Sequence, residues 1–106
     1  MSRRIRPRLF VGLALALLTL CTYWPVLRCD FVSYDDDIYV VKNPYVQEGI
    51  TVSSLVWACT ASYASNWHPL TWLSHMLDWR LYGPDPWGHH LTNLLLHLAN
   101  VLLLFF

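Results

Sequence analysis

One stretch limits this chain more than any other. Residues 9–27, LFVGLALALLTLCTYWPVL, carry no charge and directly follow four arginines, Arg3, Arg4, Arg6 and Arg8. At ~1.5 Å rise per residue its ~19 residues make a helix of roughly 28 Å, close to the hydrocarbon thickness of a bilayer. Tyr23 and Trp24 stand near its far end, where amphipathic rings favour the headgroup zone. The basic residues 1–8 predict a cytoplasmic amino terminus, which sends the chain after Arg28 out of the cytoplasm. A cleaved signal peptide also has a basic start and an apolar run. Here no Ala-x-Ala exit follows, and Leu20 precedes Cys21 where a lipoprotein cleavage site takes a small residue. The expectation is therefore a retained transmembrane helix over 9–27.

The remaining charges agree with this layout. From Arg28 to His90 lie all seven acids, against three bases, Arg28, Lys42 and Arg80. Formal net charge is zero, which argues against nucleic acid as a partner, since that needs a basic excess to neutralise phosphates. With 56% hydrophobic and 13% charged residues, too little of the chain is polar for disorder. Three cysteines without a Cys-x-x-Cys pair make neither a disulfide framework nor a cysteine zinc site. Cys29 and Cys59 fall on the same expected side of the membrane, which leaves one bridge between them open.

A second apolar run, LTNLLLHLANVLLLFF, closes the chain. A span needs ~20 residues, so residues 89–106 read as the start of a second transmembrane helix in a larger membrane protein. His90, Asn93, His97 and Asn100 recur at helical spacing on one face of it, with His89 four before Asn93. Lipid satisfies none of these groups, so the stripe should face other helices or a wet cavity. Hydrogen bonding between helices is the plain reading, and contact with a polar substrate the functional one.

Residues 28–88 form the expected extracytoplasmic loop. All six tryptophans lie within it or at its edge, as suits a segment resting on a membrane surface. Residues 51–61 read as a short helix capped by Thr51 or Ser53. A longer helix begins at Pro69 and stops near Gly83-Pro84. Leu70, Leu73, Leu77 and Leu81 make one apolar stripe on it, broadened by Trp72, Met76 and Trp79. Too short to span, it lies along the interface or packs on neighbouring helices.

The chemistry concentrates in FVSYDDDIYVVKNPYV. Adjacent carboxylates at Asp35, Asp36 and Asp37 repel one another, an arrangement that tends to favour keeping a proton among them. Such a group serves as a general base or holds a divalent cation; a solvated acidic turn is the plain alternative. No EF-hand, Gly-rich phosphate loop, Gly-x-Ser-x-Gly or His-Glu-x-x-His occurs. His68 and His75 are about two helical turns apart, but no carboxylate at ligand spacing is evident beside them, which weighs against zinc.

Taken together, FVSYDDDIYVVKNPYVQEGIT and NWHPLTWLSHMLDWRLYGPDPWGHHLTNLLLHLANVLLLFF resemble the amino-terminal part of GT-C superfamily membrane glycosyltransferases. The likeness is to the transmembrane-and-tetratricopeptide-repeat protein O-mannosyltransferases and their bacterial relatives. It rests on Tyr-Asp-Asp followed by Asn-Pro, then Pro-Leu-Thr, then Gly-x-His-x-x-Asn-x-x-x-His. The resemblance implies an all-α membrane fold of many spans, with amphipathic interfacial helices in the first large loop. It implies a polyprenyl-phosphate-linked sugar donor and a protein or glycan acceptor, in the bacterial inner membrane or the endoplasmic reticulum. Asp35 and Asp36 match the family's acidic pair, which is implicated in activating the acceptor hydroxyl. His68 stands where eukaryotic members commonly carry Arg or Lys, and with Arg80 it is the local candidate for the donor phosphate. No cofactor is certain, and a divalent cation would fall on Asp35, Asp36 and Asp37. The piece by itself is expected to have no turnover. A non-catalytic membrane anchor or scaffold for partner proteins is the competing function, and a transporter path lined by the His/Asn stripe a third.

Overall fold

A computed structural model describes residues 2–106, with side chains from residue 6 onward; the side chains of Arg3 and Arg4 lie outside the described residues. Every regular element among the described residues is helical, with no strand. Five α-helices follow in order: α1 Ser2–Tyr23, α2 Pro44–Gln47, α3 Val52–Thr60, α4 Pro69–Tyr82 and α5 Pro86–Phe105. A 3₁₀ turn, Trp24–Arg28, extends α1, and a π-helical turn, Asp37–Val41, precedes α2.

One helix among the described residues is long and apolar enough to cross a membrane, by length and composition: Arg6–Arg28, with mean hydropathy 1.9. It embraces the uncharged run and includes the 3₁₀ turn. Leu9, Phe10, Leu13, Leu17 and Leu18 on it are all exposed, so the chain itself does not cover this surface.

Helices α1 and α5 pack side by side and antiparallel. Gly12 near the start of α1 lies against Phe106, where a Cβ would come within 2.8 Å of the ring. Toward the other end Tyr23 meets His97 edge-to-face at 4.9 Å. The two apolar runs therefore pack on each other as a pair of helices. The second helix starts at Pro86, three residues earlier than expected, because Asp85 Oδ1 accepts from Trp87 N at 3.0 Å and Pro86 fits the first turn.

A small core sits to one side of this pair, under the loop helices. Val46, Ala58, Trp72 and Met76 are fully buried, with Tyr39, Trp57, Leu73 and Trp79 packed around them. Stacked pairs close it: Tyr39 on Trp72 at 4.8 Å and Tyr45 on Trp57 at 4.7 Å. Each such pair adds about 0.5–1.5 kcal/mol beyond the area it buries. Caps hold the short helices that feed this core. Asn43 Oδ1 accepts from Tyr45 N and Val46 N ahead of Pro44, and Thr51 and Ser54 form a reciprocal capping box on α3. Of the two caps expected for α3, the fold uses Thr51.

Helix α4 keeps the expected limits but turns a different face inward. Trp72, Met76 and Asp78 are buried, whereas Leu70 is 80%, Leu77 46% and Leu81 63% exposed. The large ring of Trp72 fills the space between α2 and α3, and of the leucine stripe Leu73 packs on the core while Leu70, Leu77 and Leu81 are left outside. The tryptophans divide likewise. Trp72 is core, Trp57 and Trp79 support it, and Trp24, Trp67 and Trp87 are exposed. Tryptophan density therefore reports a core as much as a surface.

Candidate functional site

The acidic triplet begins one turn of helix that follows the apolar helix at close range. Its three carboxylates have three different surroundings. Asp36 Oδ2 accepts from Val32 N at 2.8 Å, so the backbone upstream fixes this side chain. Asp37 Oδ2 pairs with Lys42 Nζ at 3.1 Å, an exposed contact. Asp35 is exposed and has no hydrogen-bond partner among the described residues. The following turn is π-helical, with Lys42 N donating to Asp37 O at 2.9 Å. The widened turn carries Tyr39 inward from the triplet to the core.

Tyr39 connects the acidic turn to the histidines of α4. Its ring lies 5.5 Å from His68, 4.8 Å from Trp72 and 6.0 Å from His75. His68 occupies the N-cap position of α4 without bonding the helix, and its Nε2 is buried without a partner. The Asp36 charge reaches His75 across this wall. Burial holds the His75 imidazole below its ordinary value of 6.5, a stronger effect than the upward pull of the Asp78 and Asp36 carboxylates. His89 and His68 push it down further. The ring is therefore neutral at pH 7.

His75 belongs to a second cluster that the sequence reading did not assemble. One donor atom each from His75, Asp78 and His89 lie within 4.8 Å of one another. Asp78 and His89 are each only 4% exposed. Thr92 Oγ1 donates to Asp78 Oδ1 at 2.6 Å, and His89 Nε2 lies 2.9 Å from Gly83 O. The Nδ1 atoms of His75 and His89 are buried without partners. Asp78 follows His75 by three residues, on the same helical face. That spacing was a legible signal, and it supplies the carboxylate whose absence had counted against a metal. His89 was legible only as part of the α5 stripe. About 100° from His90 around α5, His89 shares with Thr92 the face that meets α4.

The rest of the stripe faces α1. Tyr23, Val26, His90, Asn93, Leu94 and His97 line a cleft of ≈ 230 Å³ between the two long helices. Asn100 lies beyond it, exposed. His90 Nε2 is buried without a partner. Phe31 links cleft and cluster, with its ring 5.2 Å from His89 and 6.1 Å from His90.

Of the two residues expected at a donor phosphate, only His68 joins this assembly. Arg80 is exposed, beside Gly49. At ~100° per residue it sits about 140° from His75 around the axis of α4. The three cysteines are free, so Cys29 and Cys59 are not bridged.

No family model, curated protein or solved structure matches the chain.

Proposed function

We propose that this chain is the amino-terminal portion of a GT-C type glycosyltransferase that uses a polyprenyl-phosphate-linked sugar, of the protein O-mannosyltransferase kind. The observation that carries the reading is the acidic turn held a few residues beyond the end of the apolar helix, with one carboxylate fixed by backbone and its neighbour free. A lipid-linked donor keeps its isoprenoid in the bilayer and its phosphate at the surface. A base on a short tether from a membrane helix meets the donor at that depth. In this reading α1 runs outward from a cytoplasmic amino terminus, and residues 28–88 lie outside the cytoplasm.

Asp35 and Asp36 divide the work. Asp36, restrained by Val32 N, holds the acceptor, and the unencumbered Asp35 takes the proton from its hydroxyl. The acceptor oxygen bonds to the anomeric carbon as the bond from that carbon to the phosphate oxygen breaks. The electron pair leaves with the polyprenyl phosphate, whose growing charge needs a cation. His68 is the nearer candidate for that contact, and loops of the larger protein complete it. Asp35→Asn and Asp36→Asn in the full-length protein test the assignment, with transfer from a lipid-linked sugar as the readout. A fall of at least about 100-fold in each is expected from loss of a general base or its partner. Unchanged transfer in both variants rejects the reading.

The outward stripe Leu70, Leu77 and Leu81, with Trp67 and Trp87 also exposed, favours a second reading as a membrane-bound scaffold. Loss of partner capture on changing these residues, with sugar transfer intact, distinguishes it.

A further inference from the structure

Asp78 presents an unbalanced charge. Its carboxylate is 4% exposed, and no Lys, Arg or His nitrogen lies within 4.0 Å of it among the described residues. Burying an anion this way is costly unless a cation joins it. Thr92 satisfies Oδ1 and leaves Oδ2 free. On the two histidines of the same cluster, His75 Nδ1 and His89 Nδ1 are buried and unbonded. One ligand atom from each of His75, Asp78 and His89 thus lies within 4.8 Å of the others between α4 and α5, and both histidines carry a buried, unbonded nitrogen.

We propose that His75, Asp78 and His89 bind one zinc ion that pins α4 to α5. Two imidazoles and a carboxylate are a common zinc donor set, and three protein ligands leave a fourth position open to solvent. The outer contacts have the arrangement such sites use. His89 donates Nε2–H to the Gly83 carbonyl, which fixes the tautomer with Nδ1 as the ligand, and Thr92 orients Asp78. At zinc–donor distances of ~2.0–2.1 Å, tetrahedral donors stand about 3.3 Å apart. The present limit of 4.8 Å is closed by rotation of the His75 side chain, whose ring holds no hydrogen bond among the described residues, while His89 stays on the Gly83 carbonyl. Softer and harder alternatives fit less well, since no thiolate approaches and two of the three donors are nitrogen.

The site is separate from the acidic turn, so it does not depend on sugar transfer. The full protein in detergent is stripped with a chelator and titrated with zinc against a chromophoric competitor. Cobalt loading then reports coordination by its visible absorption. Expected are one zinc per chain, a four-coordinate cobalt spectrum and a higher melting temperature with zinc. His75→Gln, at the half-buried ligand, and His89→Ala each weaken binding at least about 100-fold. Thr92→Val, which removes only an outer contact, weakens it roughly 10- to 100-fold. The double change Asp35→Asn and Asp37→Asn leaves it intact. Absence of stoichiometric zinc in the unaltered protein overturns the proposal. So does full zinc affinity in a folded His75→Gln variant, a six-coordinate cobalt spectrum, or loss of zinc in the Asp35/Asp37 variant.

Discussion

Thr92 Oγ1 donates a 2.6 Å hydrogen bond to Asp78 Oδ1, and through it the long carboxy-terminal helix is tied to the longest helix of the loop. The Asp78 end of this bond is buried and Thr92 is half-buried, so the acceptor has little access to a replacement donor when the hydroxyl is removed. Thr92→Val keeps shape and volume while deleting the hydroxyl. A hydrogen bond to a charged group contributes about 1.5–3 kcal/mol, and a loss of that size is expected in denaturant or thermal melts of the detergent-solubilised protein. Thr92→Ser restores most of it.

Gly88 sits against the Tyr82 ring, which a Cβ would overlap. The helix junction at Gly83–Asp85 brings α5 back so closely that no side chain fits. Gly88→Ala is expected to cost about 1–3 kcal/mol by overpacking and to displace His89 from the Gly83 carbonyl. In a Tyr82→Ala background the same change should cost far less, a coupling that a double-mutant cycle measures directly.

The inward and outward faces of α4 predict opposite sensitivities. Trp72 has no exposed surface and stacks on Tyr39, whereas Leu70 is 80% exposed. Trp72→Ala should remove about 3–5 kcal/mol, read as a lower melting temperature. Leu70→Ala should stay within about 0.5 kcal/mol in the same assay. Equal losses at the two positions would mean that another part of the protein covers the leucine stripe.

Cys29 and Cys59 are free and exposed beyond the apolar helix, and Cys21 lies within it. With the proposed orientation, a membrane-impermeant maleimide added to intact cells labels Cys29 and Cys59 and spares Cys21. Mass spectrometry of the labelled peptides reads this out. Protection of both loop cysteines until the membrane is permeabilised reverses the topology.

Local signals in the chain set out the helices that have strong start and stop chemistry. Pro69 and Gly83 bound α4, Thr51 caps α3, and the uncharged run makes α1, each because a few adjacent residues decide it. The acidic turn was equally plain as three neighbouring aspartates. What α4 buries was not local. Leucines and a tryptophan are both apolar to a periodicity argument, and only the space between α2 and α3 selects the bulk of Trp72 over Leu70. His89 was decided the same way. On a helical wheel it lies between Asn93 and Thr92, and the close approach of α5 to α4 at Gly88–Tyr82 turns the Thr92 side of the helix toward Asp78 and His75. Side-chain chemistry is written residue by residue; which groups meet depends on how helices distant in sequence are turned against one another, and that is settled by packing.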